Sequence, residues 1–268
     1  MRRHLALPRF SLRFVHVWRR NHLVWRKLAL PSMLGNLADP MLYMLGLGYG
    51  LGSFLPDVNG TSYIAFIAAG TVCSSTMMTS SFEAMYSAFS RMHVQRTWDA
   101  IMNAPMTLDD IVLGEHVWAA SKALLSGSAV LMVASLLGLA HWPTALGIIP
   151  LIFLTGLAFA GPALIMTALS PSYDFFMFYM TLAITPMMLV SGVFFPVEQL
   201  PGWLQAVTAV LPLPHAVQVA RPLMTASSSR PGVRGISTCL ASSSTWRWTR
   251  SRRCRKGCSS WRANSIGS

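Results

Sequence analysis

The chain has 268 residues, of which 53% are apolar and only 11% are charged, and its mean hydropathy is +0.48. Soluble globular domains carry about 25% charged residues, so this composition excludes a soluble domain. A disordered chain would be far less hydrophobic, and a collagen-like chain would show a glycine period. The composition therefore indicates an integral membrane protein.

The formal net charge of +12 comes from the two ends of the chain. Residues 1–27 hold eight Lys/Arg, residues 221–268 hold ten, and neither end has an acidic residue. Residues 28–220 hold three Lys/Arg against all nine Asp/Glu. Basic ends beside an apolar body follow the positive-inside rule and suit anionic lipid headgroups. We therefore expect membrane lipids and no nucleic acid as partners, and a cytoplasmic N-terminus.

The N-terminal segment, residues 1–28, is predicted to be a cytoplasmic amphipathic helix on the membrane surface. Its apolar residues recur at helical spacing, and arginines and Lys27 occupy much of the other side. The alternative is an ordinary basic flank that only orients the first span. The apolar positions are Phe10, Phe14, Val17, Trp18, Trp25 and Leu28.

Residues 29–224 are predicted to form the transmembrane domain. A helix needs about 20 mainly apolar residues to cross the hydrocarbon core, and five segments satisfy this. The second is marginal because it holds six Ser/Thr residues, which are common where membrane helices pack together. The predicted spans are Met33–Phe54, Tyr63–Ser80, Val117–Leu139, Ala145–Leu169 and Phe175–Phe195.

The connection 81–116 between the second and third spans is too long for a turn and is predicted to be cytoplasmic. Pro105 should end one helix, and Thr107 followed by Asp110 is typical of the cap of the next. We expect two short helices at the membrane surface, joined at a kink. They would offer acidic and basic residues to a cytosolic partner, namely Glu83, Arg96, Asp99, Asp109 and Asp110. The alternative is a solvated loop.

After the fifth span, the segment 196–215 has room for about ten helical residues between Pro201 and Pro212. Ten residues span about 15 Å, half the thickness of a bilayer. The segment can therefore enter the membrane from the outer side but cannot cross it. Trp203, near its start, suits the membrane interface.

Two ionisable residues, Asp39 and Lys122, lie close to membrane depth, where charges are costly and often functional. Both are predicted near span ends, where Lys122 can extend to the interface and Asp39 can cap a helix beginning at Pro40. The glycines of Gly46-Leu-Gly-Tyr-Gly-Leu-Gly52 lack the spacing and preceding strand of a nucleotide loop. They form overlapping GxxxG faces, which favour close helix packing.

Catalytic motifs are missing from the sequence. It contains no HExxH, no GxSxG and no GxxxxGK[ST], and its seven histidines are scattered. We therefore expect a non-catalytic protein without a metal or cofactor site. Any ATP that drives it must be hydrolysed by a separate subunit.

Three stretches together resemble an ABC-2 type permease, and the likeness covers about residues 10–224. The middle stretch is the most specific. The resemblance implies an all-α polytopic membrane protein, an exporter permease of the type V-like architecture with six spans. The stretches are NHLVWRKLALPSMLGNLADPMLYMLGLGYGLG, SSFEAMYSAFSRMHVQRTWDAIMNAPMTLDDIVLGEHVWAASKA and LVSGVFFPVEQLPGWLQAVTAVLPLPHAVQVARPL.

The resemblance also implies partners and site residues. Two permeases would assemble with two cytoplasmic ABC ATPases in a bacterial inner membrane, and the cargo would be an amphiphilic glycolipid, such as a lipochitooligosaccharide. Residues 96–115, called the coupling segment below, would dock the ATPase through Arg96, Thr97, Trp98, Asp99, Pro105, Thr107, Asp109, Asp110 and Glu115. Residues 196–215, called the re-entrant segment, would line the outer side through Pro196, Glu198, Pro201, Trp203, Pro212 and His215.

The chain departs from the family pattern after Met224. Residues 225–268 hold twelve Ser, nine Lys/Arg and no acidic residue, and no sixth span fits there. Such an abrupt change is typical of a shifted reading frame in a GC-rich gene. The alternative is a genuine basic tail that binds anionic lipid or a partner.

Two functional hypotheses therefore compete. The first is the membrane permease of an ABC exporter, and the second is a stand-alone secondary transporter or flippase that needs no ATPase. An intramembrane enzyme is a distant third, because no nucleophile has a base at usable spacing.

Overall fold

The computed structural model describes residues 11–54, 57–58, 61–140 and 144–225. The basic tail 226–268 and the first ten residues lie outside the described residues, so the frameshift hypothesis is not tested by the fold. The described part is helical except for a minimal antiparallel pair, β1 (Asp57–Val58) and β2 (Thr61–Ser62). This confirms the all-α expectation.

The helices run in chain order as follows. Short 3-10 turns at Leu51–Ser53, Thr144–Gly147 and Val197–Gln199 join some of them. The helices are α1 (Phe14–Arg26), α2 (Ala29–Gly50), α3 (Tyr63–Phe82), α4 (Thr97–Met102), α5 (Leu108–Leu136), α6 (Ile148–Leu169), α7 (Asp174–Tyr179), α8 (Thr185–Val190), α9 (Gly202–Thr208) and α10 (Pro212–Thr225).

Three helices of the described chain are long and apolar enough to cross a membrane, namely Tyr63–Val94, Leu108–Leu136 and Ile148–Leu169. The other two predicted spans are less clear. α2 is 22 residues long but is interrupted by polar residues and prolines, and α7 and α8 together form an apolar helix of only 17 residues, Asp174–Val190.

The second predicted span is much longer than expected. α3 does not end near Ser80 but continues through π-helical turns at Glu83–Ser87 and Ser90–Val94. The prediction that the second span ends at Ser80 and that a separate short surface helix follows is therefore wrong, because one helix runs from Tyr63 to Val94. Its charged side chains favoured a surface position, but Glu83 and Arg91 face α5 and pair with charged residues there.

α3 is the central helix of the fold, and it contacts α2, α5, α6 and α10. Its hydroxyl residues bond to its neighbours: Ser75 and Thr79 both meet Ser126 Oγ on α5, at 3.2 and 3.0 Å. Ser80 donates to the carbonyl oxygen of Gly156 on α6 at 2.6 Å. These hydroxyls therefore hold the bundle together, as expected for small polar residues in a membrane core.

α1 is amphipathic, as predicted, but its inner face packs on α5 rather than only on a membrane surface. Val17 is 2% exposed and lies against Gly114, where a Cβ atom would come within 2.7 Å of the valine. Trp18 donates its indole hydrogen to Ser121 Oγ at 3.0 Å, and the Trp25 ring meets the edge of the Trp118 ring. α1 is thus fixed to the start of α5.

Asp39 does not cap a helix. The predicted cap is wrong because α2 already begins ten residues earlier, at Ala29, and runs past Pro40. Asp39 is exposed in the middle of this helix, and its side chain forms no hydrogen bond or ion pair with any other described residue.

Candidate functional site

The coupling segment contains the short helix α4 and the first turns of α5, and it follows directly on the long helix that ends at Val94. Arg96 adopts a left-handed backbone conformation, with φ of 50°, and this ends the α3 extension and starts α4. The Thr97 hydroxyl donates to the carbonyl oxygen of Arg91 at 2.9 Å. This hydrogen bond ties α4 to the end of the helix before it.

The predicted cap of α5 is confirmed. The backbone N–H of Asp110 donates to Thr107 Oγ1 at 3.3 Å, and Asp110 Oδ2 accepts from the backbone N–H of Thr107 at 3.1 Å. This reciprocal pair satisfies two donors that would otherwise be free at a helix start. Asp110 is 1% exposed, so its role is to begin α5 rather than to contact a partner.

Trp98 anchors α4. Its side chain is 7% exposed and packs with Val17 of α1 and Ile111 of α5. The rest of the coupling segment is divided between the surface and the interior. Thr97 is half-buried and Glu115 is buried, whereas the residues exposed on the surface are Arg96, Asp99, Pro105, Thr107 and Asp109.

Behind the coupling segment lies a buried ion cluster, defined by Glu83, Arg91, Glu115 and Lys122. Arg91 donates to both oxygens of Glu115, at 2.9 and 2.6 Å, and through both Nη atoms to Glu83 Oε1 at 3.1 Å. Lys122 Nζ lies 2.7 Å from Glu83 Oε2. Two cations and two carboxylates thus neutralise one another.

Further donors complete the ion cluster. Trp118 Nε1 donates to Glu83 Oε1 at 2.8 Å, and Ser87 Oγ donates to Glu83 Oε2 at 2.9 Å. Glu83 is 4% exposed, so the expectation that it faces a cytosolic partner is wrong. Its carboxylate joins α3 to α5 instead. Lys122 likewise does not extend to the interface but turns into the ion cluster.

The sequence did not indicate the ion cluster, because its members are far apart along the chain. One local signal existed: Glu83, Ser87 and Arg91 recur every four residues and so share one face of a helix. The sequence pattern predicts a helix here but places it at the membrane surface, so this charged face was assigned to a cytosolic partner and not to α5.

The re-entrant segment lies at the other end of α3. The Tyr63 hydroxyl, at the first residue of α3, donates to the carbonyl oxygen of Phe194 at 3.1 Å and so fixes the entry to the segment. α9 has only seven residues, fewer than the ten expected, which corresponds to about 10 Å. It is too short to cross a bilayer.

The residues predicted in the re-entrant segment do not converge on one point. Pro196 is buried, and Trp203 is 69% exposed on α9. Pro212 and His215 begin α10, which packs a buried stripe of Leu213, Ala216, Val217, Ala220 and Met224 on α3 and α6. The remaining predicted residues, Glu198, Pro201, Pro212 and His215, are exposed.

A groove follows one side of the bundle between α2, α3 and α8. Its inner part, about 140 Å³, is lined by the polar side chains of Asn36, Asp39, Ser74, Ser75 and Thr79. Its outer part, about 630 Å³, is mainly apolar and aromatic and reaches Phe195 and Gln199. Tyr43 and Met188 line both parts, so the two cavities adjoin.

Comparison with known proteins gives a consistent result. The family model described as ABC-2 type transporter matches residues 13–225. The chain is 54% identical over 222 residues to nodulation protein J of Rhizobium meliloti strain 1021, covering 83% of this chain and 85% of that protein. No solved structure matches.

Two further relatives show the range of similarity. Nodulation protein J of Azorhizobium caulinodans is 35% identical over 67% of this chain and 71% of its own. The inner membrane transport permease YadH of Escherichia coli K12 is 22% identical over 72% of this chain and 74% of its own.

Proposed function

The chain belongs to the ABC-2 type transporter family and is the membrane subunit of an ABC exporter, and from this premise we propose that it moves a lipid-linked oligosaccharide across the bacterial inner membrane. The energy would come from a separate cytoplasmic ABC ATPase, and two copies of this chain would form the working permease. The N-terminus and the coupling segment would face the cytoplasm.

The observation that carries this proposal is the construction of the coupling segment. Its exposed charges lie on fixed elements: Arg96 directly before α4, Asp99 on α4, and Asp109 in the first turn of α5. Trp98 holds α4 against α1 and α5. A rigid surface with fixed charges suits the specific recognition of a protein partner. A solvated loop would not need a buried tryptophan.

The ion cluster would allow a movement of the coupling segment to be passed on to the transmembrane helices. The Thr97 hydroxyl on α4 donates to the backbone carbonyl oxygen of Arg91, and the guanidinium of the same residue donates to Glu83 on the α3 helix and to Glu115 on α5. A push on α4 would therefore move the ends of α3 and α5 together, since buried ion pairs resist separation. Such rigid coupling is what a partner-driven change of conformation requires.

The groove supports an amphiphilic cargo. Its inner part offers the carboxylate of Asp39 and the amide of Asn36, and these can hydrogen-bond to the hydroxyls of a sugar. The hydroxyls of Ser74, Ser75 and Thr79 in the same wall are already bonded within the bundle. Apolar surface surrounds the polar strip, so a lipid tail can remain in the bilayer. A second copy of the chain would cover the open face of α2, where a Cβ atom on Gly35 or Gly46 would meet no atom within 4 Å.

The test is co-purification with an ABC ATPase encoded in the same genome. We expect the tagged chain to retain the ATPase, and the double variant Asp99→Arg/Asp109→Arg to lose it by more than tenfold. The matched control is Asp174→Arg, which reverses an exposed carboxylate at the start of α7, outside the coupling segment. It should retain the ATPase.

Equal retention by both variants would contradict docking at the coupling segment. Failure of every candidate ATPase to bind the wild-type chain would favour the stand-alone carrier. Size-exclusion profiles of the variants must match that of the wild type, so that loss of binding is not loss of folding.

A further inference from the structure

A second cavity lies beside the ion cluster, under α1, and the proposed export function does not use it. Its volume is about 490 Å³. α1 forms one wall, and the α3 extension and α5 form the others. Its lining side chains include Arg20, Asn21, Val24, Trp25, Leu28 and Lys122.

The charges around this cavity do not balance. The ion cluster is neutral by itself, with two cations and two carboxylates. Arg20 adds a third cation, and its guanidinium bonds to the side-chain oxygen of Asn21 but to no described carboxylate. Burial, and then the charge of Arg91, lower the pKa of Arg20, and Glu115 opposes them only in part. The cavity therefore has an excess positive charge.

Asn21 provides a second, independent sign of a ligand. Its side chain is 3% exposed, and its amide nitrogen Nδ2 has no hydrogen-bond partner among the described residues. Buried amide donors are almost always satisfied. A donor left open beside an uncompensated guanidinium is the arrangement that an anionic oxygen would complete.

Apolar surface adjoins the cavity. Val24 and Leu28, which line it, are 56% and 64% exposed. Trp25 lies at the same level, as tryptophan does at membrane interfaces. The anion that fits would therefore carry hydrocarbon chains.

We propose that this cavity binds the phosphate-bearing headgroup of an anionic membrane phospholipid. Arg20 and the Asn21 amide donate to the phosphate oxygens, and the acyl chains lie along Val24 and Leu28. Such a lipid would sit between α1 and the ion cluster and hold α1 in place. The site requires neither the ATPase nor the exported cargo.

The test uses the purified full chain in an uncharged detergent with phosphatidylglycerol, phosphatidylcholine or inorganic phosphate added. We expect saturating phosphatidylglycerol to raise the unfolding temperature by roughly 5 °C and to remain bound in native mass spectra. Phosphatidylcholine and inorganic phosphate should do neither. Arg20→Gln should lose the response, and Arg19→Gln, at an exposed arginine one residue earlier, should keep it.

Three results would overturn the proposal. An equal loss in both arginine variants would indicate a general basic surface. An equal response to phosphatidylcholine would remove the role of the anion, and an equal response to inorganic phosphate would indicate a free-anion site. If Arg20→Gln does not fold, Asn21→Ala tests the site in the same native mass spectra. Unchanged retention of phosphatidylglycerol by this variant would contradict the site, and weakened retention would support it.

Discussion

Arg91 should be the most costly member of the ion cluster to remove. Its guanidinium makes four hydrogen bonds of 2.6–3.1 Å to two carboxylates that are 4% and 1% exposed. Arg91→Met would leave Glu115 without a cation and Glu83 with Lys122 alone. Leaving buried charges unpaired costs about 3 to 5 kcal/mol, and we expect the free energy of unfolding to fall by that amount.

Lys122→Met is the matched variant. Lys122 makes one bond, of 2.7 Å, to a carboxylate that still keeps Arg91, Trp118 and Ser87, and the lysine is 17% exposed. We expect a loss of about 1 to 2 kcal/mol, close to that of a single charged hydrogen bond.

Reversible unfolding of both variants in mixed micelles with increasing SDS measures this difference. These losses predict that Arg91→Met is less stable than Lys122→Met by about 1 to 4 kcal/mol. Equal stability of the two variants, or a more stable Arg91→Met, would refute it. Glu115→Gln added to Arg91→Met should restore part of the loss, because it removes the unpaired charge.

Three other predictions concern packing, capping and the tail. Gly70→Ala should destabilise the chain by about 1 to 3 kcal/mol, because its Cβ atom would lie 2.7 Å from the Val193 carbonyl oxygen. Gly35→Ala is the control and should not change protomer stability, because no atom lies within 4 Å of its Cβ position. Equal thermal unfolding of the two variants would contradict this. Thr107→Ala should cost about 1 kcal/mol by removing the cap of α5, and a wild-type unfolding curve would disprove that role. Translating the DNA after codon 224 in the other two frames should yield about 20 apolar residues, and if neither frame does so, the basic tail is genuine.

The sequence predicted those features that depend on local pattern. A continuous apolar run located α6 to within a few residues, because every apolar side chain raises the hydropathy of a span, whichever side of the helix it lies on. The Thr107–Asp110 cap was predicted because its donors and acceptors lie three residues apart. The short α9 was predicted from the spacing of two prolines.

Features that depend on distant partners could not be predicted from one sequence. The extension of α3 to Val94 requires Glu83 and Arg91 to be buried, and this is possible only because Glu115 and Lys122 on α5 neutralise them. A hydropathy scale counts each charged residue as unfavourable in a membrane span and does not include its pairing with a charge on another helix. Asp39-Pro40 was likewise taken as a helix start, although the turn before Pro40 belongs to the same helix.

The proposed function is tested most directly by reconstituting the chain and its ATPase in proteoliposomes with a fluorescently acylated chitooligosaccharide. We predict that the labelled lipid moves across the bilayer with ATP, stops with a non-hydrolysable analogue, and stops when the ATPase is omitted. Movement at the same rate without the ATPase or without ATP would contradict the account and identify a stand-alone carrier.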